Sequence, residues 1–299
     1  MELSHRRVDV GEVTLHIAEA GDPTRPLVIF LHGFPELWWS WRHQLEAISA
    51  AGYWCVAPDL RGYNESDKPE GVAAYDMEKL VGDVAGLLRA LGREKATIVG
   101  HDWGAIIAWS FAEAHPPMLE RLAILNVPHP TVFLKGMRTF RQLTRSWYMF
   151  FFQLPLIPEL LIKAFDYAAI RKAFEDSSKE ETDRYVEAAK TPGAMPAAIA
   201  YYRAIFRRVA RGKLTPRRID KPVLVIWGDR DAFLGHELAD PPAEWVPNAR
   251  VVHLGPDERA GTRERASPRL PRGDPAPGHS GATSLRNAAS DRSSTAPPA

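Results

Sequence analysis

The sequence predicts an α/β chain: a doubly wound, mostly parallel β-sheet, an inserted helical block, and a C-terminal tail without a core of its own. Short continuous apolar runs carry the first part of that reading. They fall at residues 27–31 (LVIFL), 53–57 (YWCVA), 97–99 (TIV), 122–125 (LAIL), 223–227 (VLVIW) and 250–254 (RVVHL). Strands buried on both faces look like this, and they imply a parallel sheet covered by helices. Helical patterns at about 41–51, 76–91 and 103–115 alternate with the runs, as double winding requires. The alternation then breaks between 129 and 216, where a long, aromatic-rich helical stretch separates two core strands, and it stops altogether at 255.

The expected organisation is therefore a core over 1–128 and 217–254, a helical lid over 129–216, and a disordered tail over 255–299. At the N-terminus, MELSHRRVDV has no apolar core of a signal peptide and alternates at once, so residues 8–18 read as an antiparallel hairpin about Gly11. The lid has no sheet of its own, so its helices should pack across the carboxyl ends of the strands, where such sheets bind ligands. Residues 147–165, WYMFFFQLPLIPELLIKAF, form the one stretch apolar enough to suggest a membrane, but Gln153, Pro155, Pro158, Glu159 and Lys163 interrupt it. It reads as buried or cleft-facing helix. From Gly255 onward there is no Val, Ile, Phe, Trp, Tyr or Met, a composition that cannot bury a core.

Composition excludes several function classes. A net charge of +1 with no basic cluster gives no argument for nucleic acid. The single cysteine, Cys55, lies in an apolar strand-like run and reads as a buried thiol in a reducing compartment, which points to a cytoplasmic protein. No ligand-spaced His/Cys cluster or phosphate-binding loop appears, so neither a metal nor an organic cofactor is expected.

The chemistry concentrates at residues 97–108, TIVGHDWGAIIA. A β-branched run leads into His101, Asp102 and Trp103 bracketed by Gly100 and Gly104, and a helical pattern follows. This is the G-x-Nu-x-G elbow, which holds one side chain on a strained strand-to-helix turn. An esterase would carry Ser at the centre; Asp102 instead suits attack on a saturated carbon, giving an ester that water later cleaves. His32, Gly33, Phe34 and Pro35 follow directly on LVIFL, so the backbone N–H groups of Phe34 and Trp103 should form an oxyanion hole. Because they sit beside the elbow, His32, Gly33 and Pro35 are expected to line the substrate.

HGFPELWWSWRHQ, DLRGYNESDKP, GHDWGA and WGDRDAFL, in this order, closely resemble the epoxide hydrolases of the α/β-hydrolase fold over about residues 5–254. The resemblance implies further roles. Tyr148 and Tyr202 match the tyrosine pair that hydrogen-bonds the epoxide oxygen, and an alkoxide leaving from carbon does need nearby acids. Asp231 matches the triad acid; Asp229, which follows Gly228 directly, is expected to cap the turn instead. The partner would be a small epoxide or related apolar electrophile, with neither nucleic acid nor membrane. Haloalkane dehalogenases share the Asp elbow and the following Trp, an ester hydrolase would want Ser at 102, and a non-catalytic remnant is a further alternative.

The chain departs from the pattern after RVVHL, where the family continues with a loop carrying a His and then a closing helix. Here the sequence reads GPDERAGTRERASPRLPRG. The usual water-activating base is therefore absent. His253 lies within the last strand and His279 in the tail, and His101 and His32 are better explained as hydrogen-bonding partners around the site.

Overall fold

β1 (Ser4–Asp9), polar and exposed except at Val8, and the largely buried β2 (Thr14–Ala20) form an antiparallel hairpin, and β2 pairs antiparallel in turn with β4. The remaining strands are parallel. In chain order they are β3 (Leu27–Leu31), α1 (Arg42–Ala50), β4 (Trp54–Pro58), α2 (Met77–Ala90), β5 (Ala96–His101), α3 (Trp103–Ala114) and β6 (Leu119–Leu125). The computed structural model describes residues 3–175, 177–212, 216–229, 231 and 233–255. The tail expected from 255, and His279 with it, therefore lie outside the described residues except for Gly255.

Among the described residues eight strands form one sheet in the order β1-β2-β4-β3-β5-β6-β7-β8. The winding direction reverses at β3, which has β4 on one side and β5 on the other. Loops leaving β3 and β5 therefore diverge at neighbouring strand ends, which creates a crevice in open α/β sheets. All five residues of β3 and of β4 are buried, as their unbroken apolar runs require. α3 is apolar nearly all round and accordingly buried, with Trp103 and Trp109 both in the core.

Between β6 and β7 the chain forms α4 (Pro130–Gly136), α5 (Phe140–Arg145), α6 (Trp147–Phe151), α7 (Ile157–Ala173), α8 (Lys179–Lys190) and α9 (Ala194–Ala210). β7 (Val223–Gly228) and β8 (Ala249–Leu254) then return to the sheet. α7 is two helical pieces joined at Phe165, Asp166 and Tyr167, whose φ angles of 53°, 53° and 60° lie in the left-handed region. Ser178 caps α8, its hydroxyl accepting the Glu181 N–H at 3.2 Å.

One expectation needs correction. Residues 147–165 are not uniformly buried or turned toward a cleft. Phe152, Ile162 and Glu159 are buried, but Trp147, Phe150, Leu154, Leu156, Leu160 and Phe165 are exposed. The kink and the prolines that interrupt the stretch divide it into short pieces, each of which can bury only one side against the helices behind it.

Candidate active site

The turn from β5 into α3 holds Asp102 at φ 48° and ψ −121°, a conformation costly for a residue with a Cβ. The surroundings enforce it. The Asp102 carbonyl accepts the N–H groups of Ala105 and Ile106 at 3.0 and 3.1 Å, which starts the helix. At Gly104 an added Cβ would strike the Leu31 carbonyl and lie 2.7 Å from that of His32, so the glycine lets α3 rest directly on the end of β3. At Gly33 an added Cβ would lie 2.9 Å from Asp102 Oδ1. The two loops thus touch where sequence spacing alone separates them by about seventy residues.

Phe34 N–H donates to Asp102 Oδ1 at 2.8 Å. Burial pushes the Asp102 carboxyl above its ordinary range, while His101 and the N–H groups of Phe34 and Trp103 pull against it. The expected substrate-lining residues are placed differently from one another. Gly33 packs on Asp102, and Pro35 is buried behind a cis Phe34–Pro35 bond. His32 is fully buried: its Nδ1 donates to the Gly33 carbonyl at 2.9 Å and its Nε2 accepts the Leu60 N–H at 3.0 Å. Both ring nitrogens are thereby committed to the loop, and burial lowers the pKa, so the ring is neutral and shapes the turn.

α6 and α9 bring the two tyrosines together. Tyr148 and Tyr202 lie edge to face with ring centroids 6.0 Å apart, and Tyr202 packs on Trp103 at 4.9 Å and on Phe34 at 5.6 Å. Burial, then the negative charge of Asp102, raises the pKa of both phenols, so both stay protonated. The adjacent Tyr201 points the other way and donates to the Arg61 carbonyl at 2.6 Å.

Asp231, beyond β7, is held by a different set. Asn126 Nδ2 donates to Oδ2 at 2.5 Å, and the N–H groups of Phe233 and Leu234 donate to Oδ1 at 2.8 Å each. This corrects the expectation for its neighbour, since Asp231 is the carboxylate that caps the turn. Asp229 instead accepts from His253 Nδ1 at 2.7 Å, on an exposed strand edge. His253 reaches Asp229 because β7 and β8 run parallel in register, with His253 opposite Trp227.

Two participants escaped the sequence reading. Glu36 accepts the Gly33 N–H at 3.2 Å and approaches His101 Nδ1 at 3.4 Å. Burial opposes charge on both, yet Glu36 stays near 2, held by His101 and the Gly33 N–H. Its carboxylate, with those of Asp102 and Asp231, carries His101 up to about 9. Asn126, at φ 53°, also accepts the Gly228 N–H at 3.0 Å, so it bridges β7 to Asp231. Its signal in the sequence is an Asn directly after the run LAIL, a residue suited to a left-handed strand end. A separate cleft of about 330 Å³ opens between the segment after β4 and α9, lined by Lys68, Tyr75, Ala197 and Arg203, and takes in none of Asp102, Tyr148 or Tyr202.

The profile of the alpha/beta hydrolase fold family matches residues 26–260. An AB hydrolase superfamily protein of Bacillus subtilis is 40% identical over 254 residues, covering 83% of this chain and 88% of the relative. Epoxide hydrolase 4 of Mus musculus is 37% identical over 254 residues, covering 81% of this chain and 70% of the relative. The crystal structure of the Bacillus megaterium epoxide hydrolase in complex with an inhibitor superposes with a TM-score of 0.77 at 32% identity, covering 87% of this chain and 95% of that one.

Proposed function

This chain belongs to the α/β-hydrolase family, among its epoxide hydrolases, and from that premise we propose that Asp102 opens an epoxide by forming an alkyl ester that the chain then hydrolyses poorly. The observation that carries the reading is the Asp102 carboxylate, held by the Phe34 N–H at 2.8 Å on one oxygen, beneath a pair of protonated phenols. Oδ2 attacks an epoxide carbon, the carbon–oxygen bond breaks, and the electron pair goes to the ring oxygen. Tyr148 or Tyr202 supplies the proton that this oxygen takes up. Oδ1 becomes the ester carbonyl, already pointing at backbone donors suited to an oxyanion.

The second step needs a base to take a proton from water as it adds to that carbonyl. Among the described residues Asp231 meets Asn126 and backbone N–H groups rather than an imidazole. His101 is the nearest candidate in sequence, but its pKa of about 9 leaves it protonated at neutral pH and unable to accept. The tyrosine pair favours an epoxide over a haloalkane, because halide leaves without needing a proton. The inserted helices α4 to α9 act as the lid that carries the pair.

Incubation of the full chain with styrene oxide should add one substrate mass to the peptide containing Asp102, and diol should form at most stoichiometrically. Sustained multiple-turnover diol production would overturn the slow second step. No adduct and no diol would overturn Asp102 as nucleophile.

A further inference from the structure

We propose that α5, α6, the first half of α7 and the exposed end of α9 form a face that docks on an anionic lipid bilayer, lying on it rather than crossing it. The apolar part is large. Phe140, Trp147, Leu156, Leu160 and Phe165 are 81%, 62%, 71%, 66% and 92% exposed, all within one stretch of 26 residues counted from 140 to 165. Large apolar side chains exposed together along one stretch mark an interaction surface, and a basic, aromatic-bearing amphipathic element marks a membrane interface. α6 shows the two-sidedness directly. It turns Tyr148 inward against Phe152 and Tyr202, while Trp147 and Phe150 are exposed. Phe150 meets Phe206 of α9 at 5.4 Å, which joins the end of α9 to the same face.

Charge selects the occupant. Arg138, just before α5, and Arg145, Lys163, Arg207 and Arg211 make no ion pair among the described residues, whereas Arg141 of α5 pairs with Glu237 at 3.5 Å. The one acidic residue between 135 and 165 is Glu159, which is buried and paired with Arg203 at 2.7 Å. The face is therefore apolar with unpaired cations and no unpaired anion. α8 differs: Lys179 pairs with Asp183 and Arg184 with Glu180, and the charges cancel locally. A second copy presenting the same face would bring cations against cations, whereas lipid phosphates would neutralise them. No helix among the described residues is long and apolar enough to span a membrane, so the contact is superficial. Trp147 would sit at headgroup depth, where indole rings concentrate.

The test is cosedimentation of the full chain with phosphatidylcholine vesicles, with or without about one-third phosphatidylglycerol. Binding is expected to be at least about tenfold stronger to the anionic vesicles and to weaken when salt near 1 M shortens the Debye length to about 3 Å. R138E combined with K163E should lower the anionic partition by about tenfold or more, Leu156→Ser combined with Trp147→Ser should lower binding to the same vesicles, and K179Q on α8 should leave it unchanged. Circular dichroism checks that each variant is folded. Brominated lipids provide a second readout on the unaltered chain, by quenching its tryptophan fluorescence. Equal binding to neutral vesicles, absence of quenching, or insensitivity to the paired substitutions would overturn the proposal. So would a concentration-dependent dimer, seen without lipid by sedimentation velocity and lost in the serine double variant, which would identify a second copy as the occupant.

Discussion

Asp102 and Asp231 stand at the ends of β5 and β7, on either side of β6, and the same functional group is kept in two opposite conditions. Asp102 occupies a strained backbone position, is lifted above its ordinary pKa by burial, and faces phenols that have protons to give. Asp231 is immobilised by Asn126 and two backbone N–H groups, with its charge satisfied by a turn. A buried carboxylate held only by backbone N–H groups of the two facing loops is suited to act as a nucleophile, while one with three donors, a side-chain amide among them, is suited to a fixed support. What differs between the ends is the supply of hydrogen-bond donors, and that supply separates the two halves of the proposed reaction.

The largest expected effect comes from removing the reactive member. Asp102→Asn should abolish adduct formation with styrene oxide, read by mass spectrometry of the elbow peptide, since an amide cannot attack carbon here; a surviving adduct on that peptide would move the nucleophile elsewhere. Next come the phenols. Tyr202→Phe and Tyr148→Phe each remove one donor to the developing alkoxide, and the adduct should form about 10²–10³-fold more slowly, the usual cost of losing one such donor. A time course showing an unchanged rate for both would reduce the pair to packing.

Asp231→Asn should sharpen the comparison by doing little to chemistry. Adduct formation should stay within about twofold, while thermal unfolding shifts downward by the loss of a charged hydrogen bond with Asn126, about 1.5–3 kcal/mol. A variant that loses diol turnover without losing the adduct would show that Asp231 does serve a base.

The smallest effect concerns pH and the Glu36–His101 pair. His101 is raised from its ordinary 6.5 to about 9, so its contribution to stability is complete below about 6.5 and is lost as pH rises through about 9. Glu36 is lowered from 4.5 to about 2, so its contribution is complete above about 4.5 and is lost as pH falls toward 2. Melting temperatures between pH 6.5 and 9 should fall more steeply for the unaltered chain than for His101→Gln; parallel curves would show that the pair contributes nothing to folding.

The order of core elements was readable because each rests on local pattern. LVIFL, LAIL and VLVIW are apolar on both faces and became β3, the end of β6 and β7, and the helical patterns at 76–91 and 103–115 became α2 and α3. The elbow was readable because its glycines are spaced for one turn, and Gly104 indeed meets the Leu31 carbonyl. Contacts between distant segments left no such mark. Asn126 reaches Asp231 across 105 residues, and Glu36 reaches His101 across 65. The sidedness of residues 147–165 was equally hidden, since Gln153, Glu159 and Lys163 are too few to mark a polar side and the kink at Phe165 and the packing of α9 decide which side chains face outward.

Tyr201 and Tyr202 are consecutive, and that adjacency determines what the second can do. Tyr201 is pinned to the Arg61 carbonyl, and Arg61 is itself clamped by Asp83 through two bonds of 2.6 and 2.7 Å, both side chains buried. The phenol beside it is thereby tied, through its neighbour, to the loop after β4 and to α2. Tyr148 sits on a five-residue helix whose neighbours Trp147 and Phe150 face solvent. In the proposed reaction Tyr202 would therefore meet an arriving alkoxide with its reorganisation already complete, and any opening that admits or releases a ligand would fall to the Tyr148 side.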